Sequence, residues 1–288
     1  EYARIVTLDP QATPEQKKSA VTNALLGLMG EIKSGDCSAL SQIGFLYLRG
    51  NLVSKEVDTA LRWLEAFAQT GDIRTAQNLA DLYRSNQVDE IDIQKSMSYL
   101  KQAAEGGVAS AQFSLGRAYA TGISLGQDLG LATKYLTAAS EAGLRPADEW
   151  LARLYSGDFG GTPDVAKAKT YFERAMQNVD MSGQVPIAYG SFLADRGNRE
   201  DVDKALKILE GAAQAGSAEA SDEIGKIYLQ LGQRDPNYLT KALKAFTDAA
   251  TSGNSDGAAK LAGMYACGQG VPLSVELSND WRHKAAIF

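Results

Sequence analysis

Histidine is the side chain best suited to moving a proton near neutral pH, and the chain has one, His283, between Arg282 and Lys284. It reads as a solvated surface residue, because no cluster of cysteine or carboxylate at ligand spacing stands beside it. Cys37 and Cys267 form no C-x-x-C pair and are expected to be two small buried apolar residues. Asp158-Phe159-Gly160 spells the magnesium motif of protein kinases, but no H-R-D, V-A-I-K or glycine-rich nucleotide loop accompanies it. The glycine turns at Gly157–Gly161 and Gly268–Gly270 lack the G-K-[ST] ending that cradles a phosphate. Adjacent carboxylates, Asp89 with Glu90 and Asp222 with Glu223, have the composition of an acid/base pair, yet such neighbours are common on solvated helix faces and in loops. No catalytic residue, metal ligand set or cofactor is therefore expected.

Composition leads to helices. Of 288 residues 44% are hydrophobic and 22% charged, enough to bury a core. No stretch approaches the roughly 20 apolar residues of a membrane span. Alanine supplies 43 residues and Gly 28 against 7 Pro, which suits closely packed helices joined by short turns. A net charge of −6 gives no general attraction for nucleic acid or anionic lipid. Glu1 opens the sequence without Met or leader, so it reads as a processed or excised chain.

A period runs through the chain. Tyr47, Tyr83, Tyr119, Tyr155, Phe192, Tyr228 and Tyr265 stand 36, 36, 36, 37, 36 and 37 residues apart. Three residues before each lies Gly44, Ala80, Gly116, Ala152, Tyr189, Gly225 or Ala262, all small except Tyr189. About 13 residues after the aromatic comes a second small column, Ala60 through Ser278, then Trp63, Tyr99, Tyr135, Tyr171, Ile208, Ala245 and Trp281, then Phe67 and a run of alanines. That i, i+3, i+7 spacing is one stripe of an α-helix. Gly71, Gly107, Gly143, Gly216 and Gly253 close most units, where a residue tolerating positive φ is expected past a helix end. Each unit thus predicts helix A, a loop, helix B and a glycine turn, the small residue admitting the partner helix and the ring filling the wider gap beside it. A single hairpin this short cannot bury its apolar face, so neighbours must stack.

The pattern A-x(3)-L-G-x-x-Y-x-x-G, a variable loop, then K-A-x-x-W/Y-x(3)-A-A-x-x-G resembles Sel1-like repeats, a branch of the tetratricopeptide superfamily. It is clearest from Ala111 to Gly143 (AQFSLGRAYATG, then LATKYLTAASEAG) and in Gly268-Gln269-Gly270-Val271 of the last unit. The resemblance implies an all-α fold, an α-solenoid wound as a right-handed superhelix of about seven helix-turn-helix repeats, spanning approximately 35–70, 71–106, 107–142, 143–178, 179–215, 216–252 and 253–288. The fifth unit departs most, with Pro186 near its start, Tyr189 for the small residue and Val179 where a glycine is expected, so irregular packing or a bend is expected between the fourth and fifth repeats. Residues 1–34 precede the array, with Thr13 as N-cap, Pro14 at the first helical position and an apolar stripe from Ala20 to Ile32 making a capping helix. At the other end Trp281, Ile287 and Phe288 leave the last helix without an obvious polar cap, so either more chain or a partner is expected to cover it.

With no assembled active site, function is expected on the concave side lined by successive A helices. Positions five and two before the aromatic column, and two after it, project from the face opposite the packed columns. Trp150, Arg117, Arg153, Phe45, Arg49, Asp81, Glu223 and Lys226 are the candidate partner-binding residues. Trp150 with its two arginines stands out, since Trp and Arg dominate interface energetics; packing between repeats is the other role open to Trp150. The expected function is a non-enzymatic scaffold for a protein or peptide ligand, which the resemblance places in signalling, degradation, or bacterial envelope assembly and exopolysaccharide export, with the periplasm or envelope favoured. The resemblance also brings a cysteine-rich branch for which β-lactam binding or hydrolysis has been claimed, disfavoured because its ladder of one disulfide per repeat is absent. Cys37 and Cys267 lie in the first and last repeats, too far apart to bridge. A third reading is a spacer or dimerisation module that self-associates through the C-terminal helix.

Overall fold

The computed structural model describes residues 12–50, 53–85, 87, 91–177 and 179–288. Among them are fifteen α-helices and no strand: α1 (Pro14–Lys33), α2 (Ser38–Arg49), α3 (Val57–Ala68), α4 (Ile73–Leu82), α5 (Ile93–Glu105), α6 (Ala109–Thr121), α7 (Leu129–Glu141), α8 (Pro146–Ser156), α9 (Val165–Ala175), α10 (Gln184–Ala194), α11 (Arg199–Gln214), α12 (Ala218–Gly232), α13 (Asn237–Thr251), α14 (Ser255–Cys267) and α15 (Val275–Ile287). The class is the all-α repeat solenoid. The chain divides into two compact units, Glu1–Leu154 and Tyr155–Phe288. In the first, α2 packs on α3, α4 on α5 and α6 on α7, and the B helices α3 and α5 pack on the A helices α4 and α6 that follow them. In the second, α10 pairs with α11, α12 with α13 and α14 with α15.

Local chemistry sets the helix ends. Asp72, Asp92, Asp128 and Asp164 accept the backbone N–H three residues on, as do Asn198, Ser217, Asn254 and Ser274. Thr13 and Gln16 form a reciprocal capping box with Pro14 in the first turn, though only Ala20 and Val21 of the expected α1 stripe are buried. Gly71, Gly107, Gly143, Gly216 and Gly253 take φ between 85° and 99°, as their place past a helix end requires.

The close approach of A to B is seen where a Cβ would collide. A methyl on Gly44 would lie 2.6 Å from Leu64 Cγ, on Gly116 2.7 Å from Leu136 Cγ, and on Gly225 2.5 Å from Phe246 Cε1. Leu64, Leu100 and Leu136 in the first unit, and Phe172, Leu209 and Phe246 in the second, are buried at one repeat position that the repeat pattern does not single out. Burying such a side chain stabilises the fold by about 1.5–3 kcal/mol each. The two aromatic columns meet beside it: Tyr83 stacks on Tyr99 at 6.1 Å, Tyr119 on Tyr135 at 6.1 Å and Tyr155 on Tyr171 at 5.7 Å between ring centroids.

The fifth hairpin is packed differently, as expected, but the small residue has moved rather than vanished. Gly190, not position 189, meets helix B, its missing Cβ lying 2.5 Å from Leu209 Cγ. Tyr189 is instead a plug, 1% exposed and stacked at 5.0 Å on Phe172. Pro186 is harmless because it is the third residue of α10, where no helical acceptor awaits its N–H. The A–B loops also fall into two kinds. In five, the N-cap N–H of helix B donates to the carbonyl of the column aromatic: Glu56 to Tyr47, Asp92 to Tyr83, Asp128 to Tyr119, Asp164 to Tyr155 and Ser274 to Tyr265, at 2.8–3.1 Å. The links Asp195–Asn198 and Gln233–Pro236 are shorter and make no such bond.

Candidate partner-binding surface

In the first unit, Trp150 on α8 is half-buried, with the Arg117 guanidinium of α6 4.6 Å from its ring centroid and Arg153, one turn along α8, at 5.5 Å. Arg117 also lies 5.5 Å over Phe113, a residue not among those expected. The array is therefore a ladder of Phe113, Arg117, Trp150 and Arg153 across two A helices, and Trp150 both joins repeats and shows a face. Each cation–ring contact is worth about 0.5–1 kcal/mol when exposed. Arg49 covers Phe45 at 5.9 Å on α2. Asp81 on α4 is exposed and pairs with Arg84 at 2.6 Å, a surface contact of small energetic weight.

In the second unit, Glu223 and Lys226 belong to an interior-edge network. Lys226 Nζ donates to Glu223 Oε1 at 2.8 Å and pairs with Asp222 Oδ2 at 2.6 Å, while Ser191 of α10 donates to Glu223 Oε2 at 3.0 Å. Asp222, expected to be solvated beside Glu223, is 2% exposed. It sits on the inward side of α12, and its Oδ1 finds no partner among the described residues. Burial pushes its carboxyl above the ordinary range despite Lys226. Burial works to lower Lys226, but the bonds to Asp222 and Glu223 outweigh it and raise it. The i, i+4 spacing of Asp222 and Lys226 is the signal that could have revealed this pair.

The chemistry-bearing residues are scattered. His283 is exposed on α15 and Asp158 in the loop after α8. The pair Asp89 and Glu90 lies outside the described residues. Cys37 and Cys267 are both exposed free thiols, contrary to expectation, because they stand at helix ends, as N-cap of α2 and last residue of α14. Two short motifs run against the expectation that the sequence holds no nucleophile signature. Ser98-Tyr99-Leu100-Lys101 spells S-x-x-K, but Leu100 is a core residue of α5, Tyr99 packs half-buried against that core and Lys101 pairs with Glu105. Gly122-Ile123-Ser124-Leu125-Gly126 spells G-x-S-x-G, with Ser124 at φ 69°. That angle is a loop property: Ser124 stands where Gly270, at φ 72°, stands in the last repeat, and no strand–turn–helix elbow surrounds it. Among the described residues no group of three potential ligands could hold a metal ion, and no helix is long and apolar enough to cross a membrane.

The family model for the Sel1 repeat matches residues 37–72, 76–108, 109–144, 147–178 and 255–286. These contain the five loops that carry the N–H to aromatic-carbonyl bond; the two hairpins with short links fall between the fourth and fifth matches. Among solved structures, a Sel1 repeat protein from Oxalobacter formigenes is similar at 26% identity and TM-score 0.65, over 99% of this chain and 80% of that one. The protective antigen c5321 of uropathogenic Escherichia coli, which displays the SLR fold, is similar at 24% identity and TM-score 0.51, over 91% of this chain and 64% of that one. No curated protein matches the chain. Proteins built of such repeats generally mediate protein–protein interaction, and the scaffold is typically non-enzymatic. The matched repeats cover more than half of the sequence, and the chain belongs to the Sel1 repeat family.

Proposed function

We propose that the chain is a non-enzymatic interaction scaffold that binds a protein or peptide on the concave, A-helix face expected of these repeats. The observation that carries this reading is the half-buried Trp150 ring held between Arg117 and Arg153. Such a stack presents an aromatic face bordered by positive charge, suited to a segment with an apolar side chain and acidic character. Phe45, Arg49 and Asp81 extend the candidate surface along α2 and α4 of the first unit, and Glu223 with Lys226 is a separate mixed-charge patch on α12 of the second. The family resemblance and the two bacterial neighbours favour a setting in bacterial envelope assembly, signalling or export.

The exposure of Ile287 and Phe288 at the end of α15 favours a second reading, self-association through that helix. One experiment addresses both. The chain, Trp150→Ala/Arg153→Glu and Ile287→Glu/Phe288→Glu are compared by quantitative affinity capture and by light scattering. Loss of captured partners in the first variant alone supports the A-helix surface, and equal recovery from all three removes it. A dimer that dissociates only in the second variant supports self-association instead.

A further inference from the structure

The second unit contains a cleft of about 410 Å³ between α11 and α13 over α12, on the B-helix side and apart from the surface described above. That volume is within the range of about 300–1,000 Å³ typical of ligand sites. Its wall includes Tyr228, Ile224, Ala213 and Ala245, with Glu210 and Lys241 among the polar residues. The repeat explains why it is open. At the position of Ala245 three other repeats place Tyr99, Tyr135 or Tyr171, and each of those rings stacks on the A-helix tyrosine of its own repeat. In the sixth repeat Tyr228 is present but the B-helix ring is an alanine methyl. Tyr228 turns to Tyr238 instead, at 5.9 Å, which leaves the slot above Ala245 unfilled.

The charged neighbours of the missing ring are nevertheless in place. Where the first repeat meets the second, Glu65, one residue after core Leu64, accepts from the hydroxyl of Tyr83, and Lys95, four residues before Tyr99, donates to Glu65 at 3.0 Å and lies 5.0 Å over the Tyr83 ring. Burial and the adjacent Glu65 carboxylate both hold the Tyr99 phenol above its ordinary value. Glu210 likewise follows core Leu209, and Lys241 likewise precedes Ala245 by four and lies 5.3 Å over Tyr228. The cleft thus keeps a carboxylate from the fifth repeat and the cation and stacking ring of the sixth while lacking the tyrosine.

We propose that this cleft receives a tyrosine side chain of a partner protein, its ring lying on Tyr228 and its hydroxyl donating to Glu210. The test is an NMR amide-shift titration of the whole chain with N-acetyl-tyrosinamide and N-acetyl-phenylalaninamide. Shifts confined to α11, α12 and α13 are expected, with the tyrosine probe bound about tenfold more tightly, the worth of a hydrogen bond to a charged acceptor. Glu210→Gln should fold normally and erase that preference, and Ala245→Tyr should raise the melting temperature and abolish binding of both probes. An unshifted spectrum, equal binding of the two probes, or binding that survives Ala245→Tyr would overturn the proposal. Tighter binding of free phenol than of the amide would also overturn it, by assigning the slot to small phenols. A dimer lost in Ala245→Tyr would overturn it too, by assigning the slot to a second copy of the chain.

Discussion

Replacing Gly225 by alanine sets two effects against each other. Alanine in a helix interior is favoured over glycine by about 0.5–1 kcal/mol. The new methyl would, however, stand 2.5, 2.6 and 2.9 Å from Cε1, Cδ1 and Cγ of Phe246. Carbons in contact sit about 3.5–4.0 Å apart, so the ring must retreat by roughly 1 Å. Phe246 is fully buried in a cluster with Ala258, Leu261 and Met264, which leaves it little room. Overpacking of this kind costs about 1–3 kcal/mol, so a net destabilisation of about 0.5–2 kcal/mol is expected. Gly263, one hairpin on, is the control: a Cβ there meets nothing within 4 Å, so Gly263→Ala should stabilise by about 0.5–1 kcal/mol. Urea titrations followed by circular dichroism read both as midpoint shifts at unchanged slope. Adding Phe246→Leu to Gly225→Ala recreates the alanine–leucine combination of Ala80 and Leu100, and a coupling of about 1 kcal/mol in the double-mutant cycle is expected. If the two glycine substitutions shift the midpoint in the same direction, the close-contact account of the small column is wrong.

Ser124→Gly should stabilise the chain by about 1 kcal/mol, because a non-glycine residue in the left-handed region costs about 1–2 kcal/mol; a lower denaturation midpoint would instead reveal an unseen role for the hydroxyl. Asp201 and Asp222 should give opposite pH signatures. Lys169, at 2.6 Å, and Asn198 hold the Asp201 carboxyl below its ordinary value. Its contribution, about 1–2 kcal/mol for a charged hydrogen bond, is therefore present above the unfolded value of 3.8 and lost as pH falls through the folded one, so Asp201→Asn and the parent should converge in acid. Asp222 is raised by burial, so the native state keeps its proton longer than the unfolded state and the parent loses stability as pH rises from 3.8 through the folded value. Asp222→Asn should accordingly gain on the parent as pH rises, and chemical denaturation from acid to neutral pH checks both signs.

Helix pairing is legible from spacing because the columns are contacts: Tyr83, Tyr119 and Tyr155 stack on the B-helix tyrosines of their own repeats, and the closing glycines all take positive φ. The Leu64 column is hidden in the sequence because leucine is common and flanked by other apolar residues, so only the colliding Cβ positions reveal which residue faces the glycine. Tyr189 reads as a defect in the small column because a one-residue shift to Gly190 conserves the contact while breaking the count. The candidate surface is half legible. Trp150, Arg117 and Arg153 do assemble, since their positions share a face, but the burial of Asp222 depends on which side of α12 its neighbours close over, and spacing from the tyrosine column does not reveal that. The exposed cysteines show the same limit, because a helix end can turn a small apolar residue outward.

The joints between hairpins differ in how freely they could be remade. The hairpins α4–α5 and α6–α7 carry equivalent mating surfaces, Leu100 and Leu136 behind Ala80 and Gly116, so one 36-residue block could be lost or doubled in frame and every remaining seam would still close. The seam between α9 and α10 is keyed, since Phe172 accepts Tyr189 and neither residue has a counterpart pair elsewhere among the described residues. Copy number is thus free to drift in the forward hairpins, while the Phe172–Tyr189 seam pins the order of the hairpins after it.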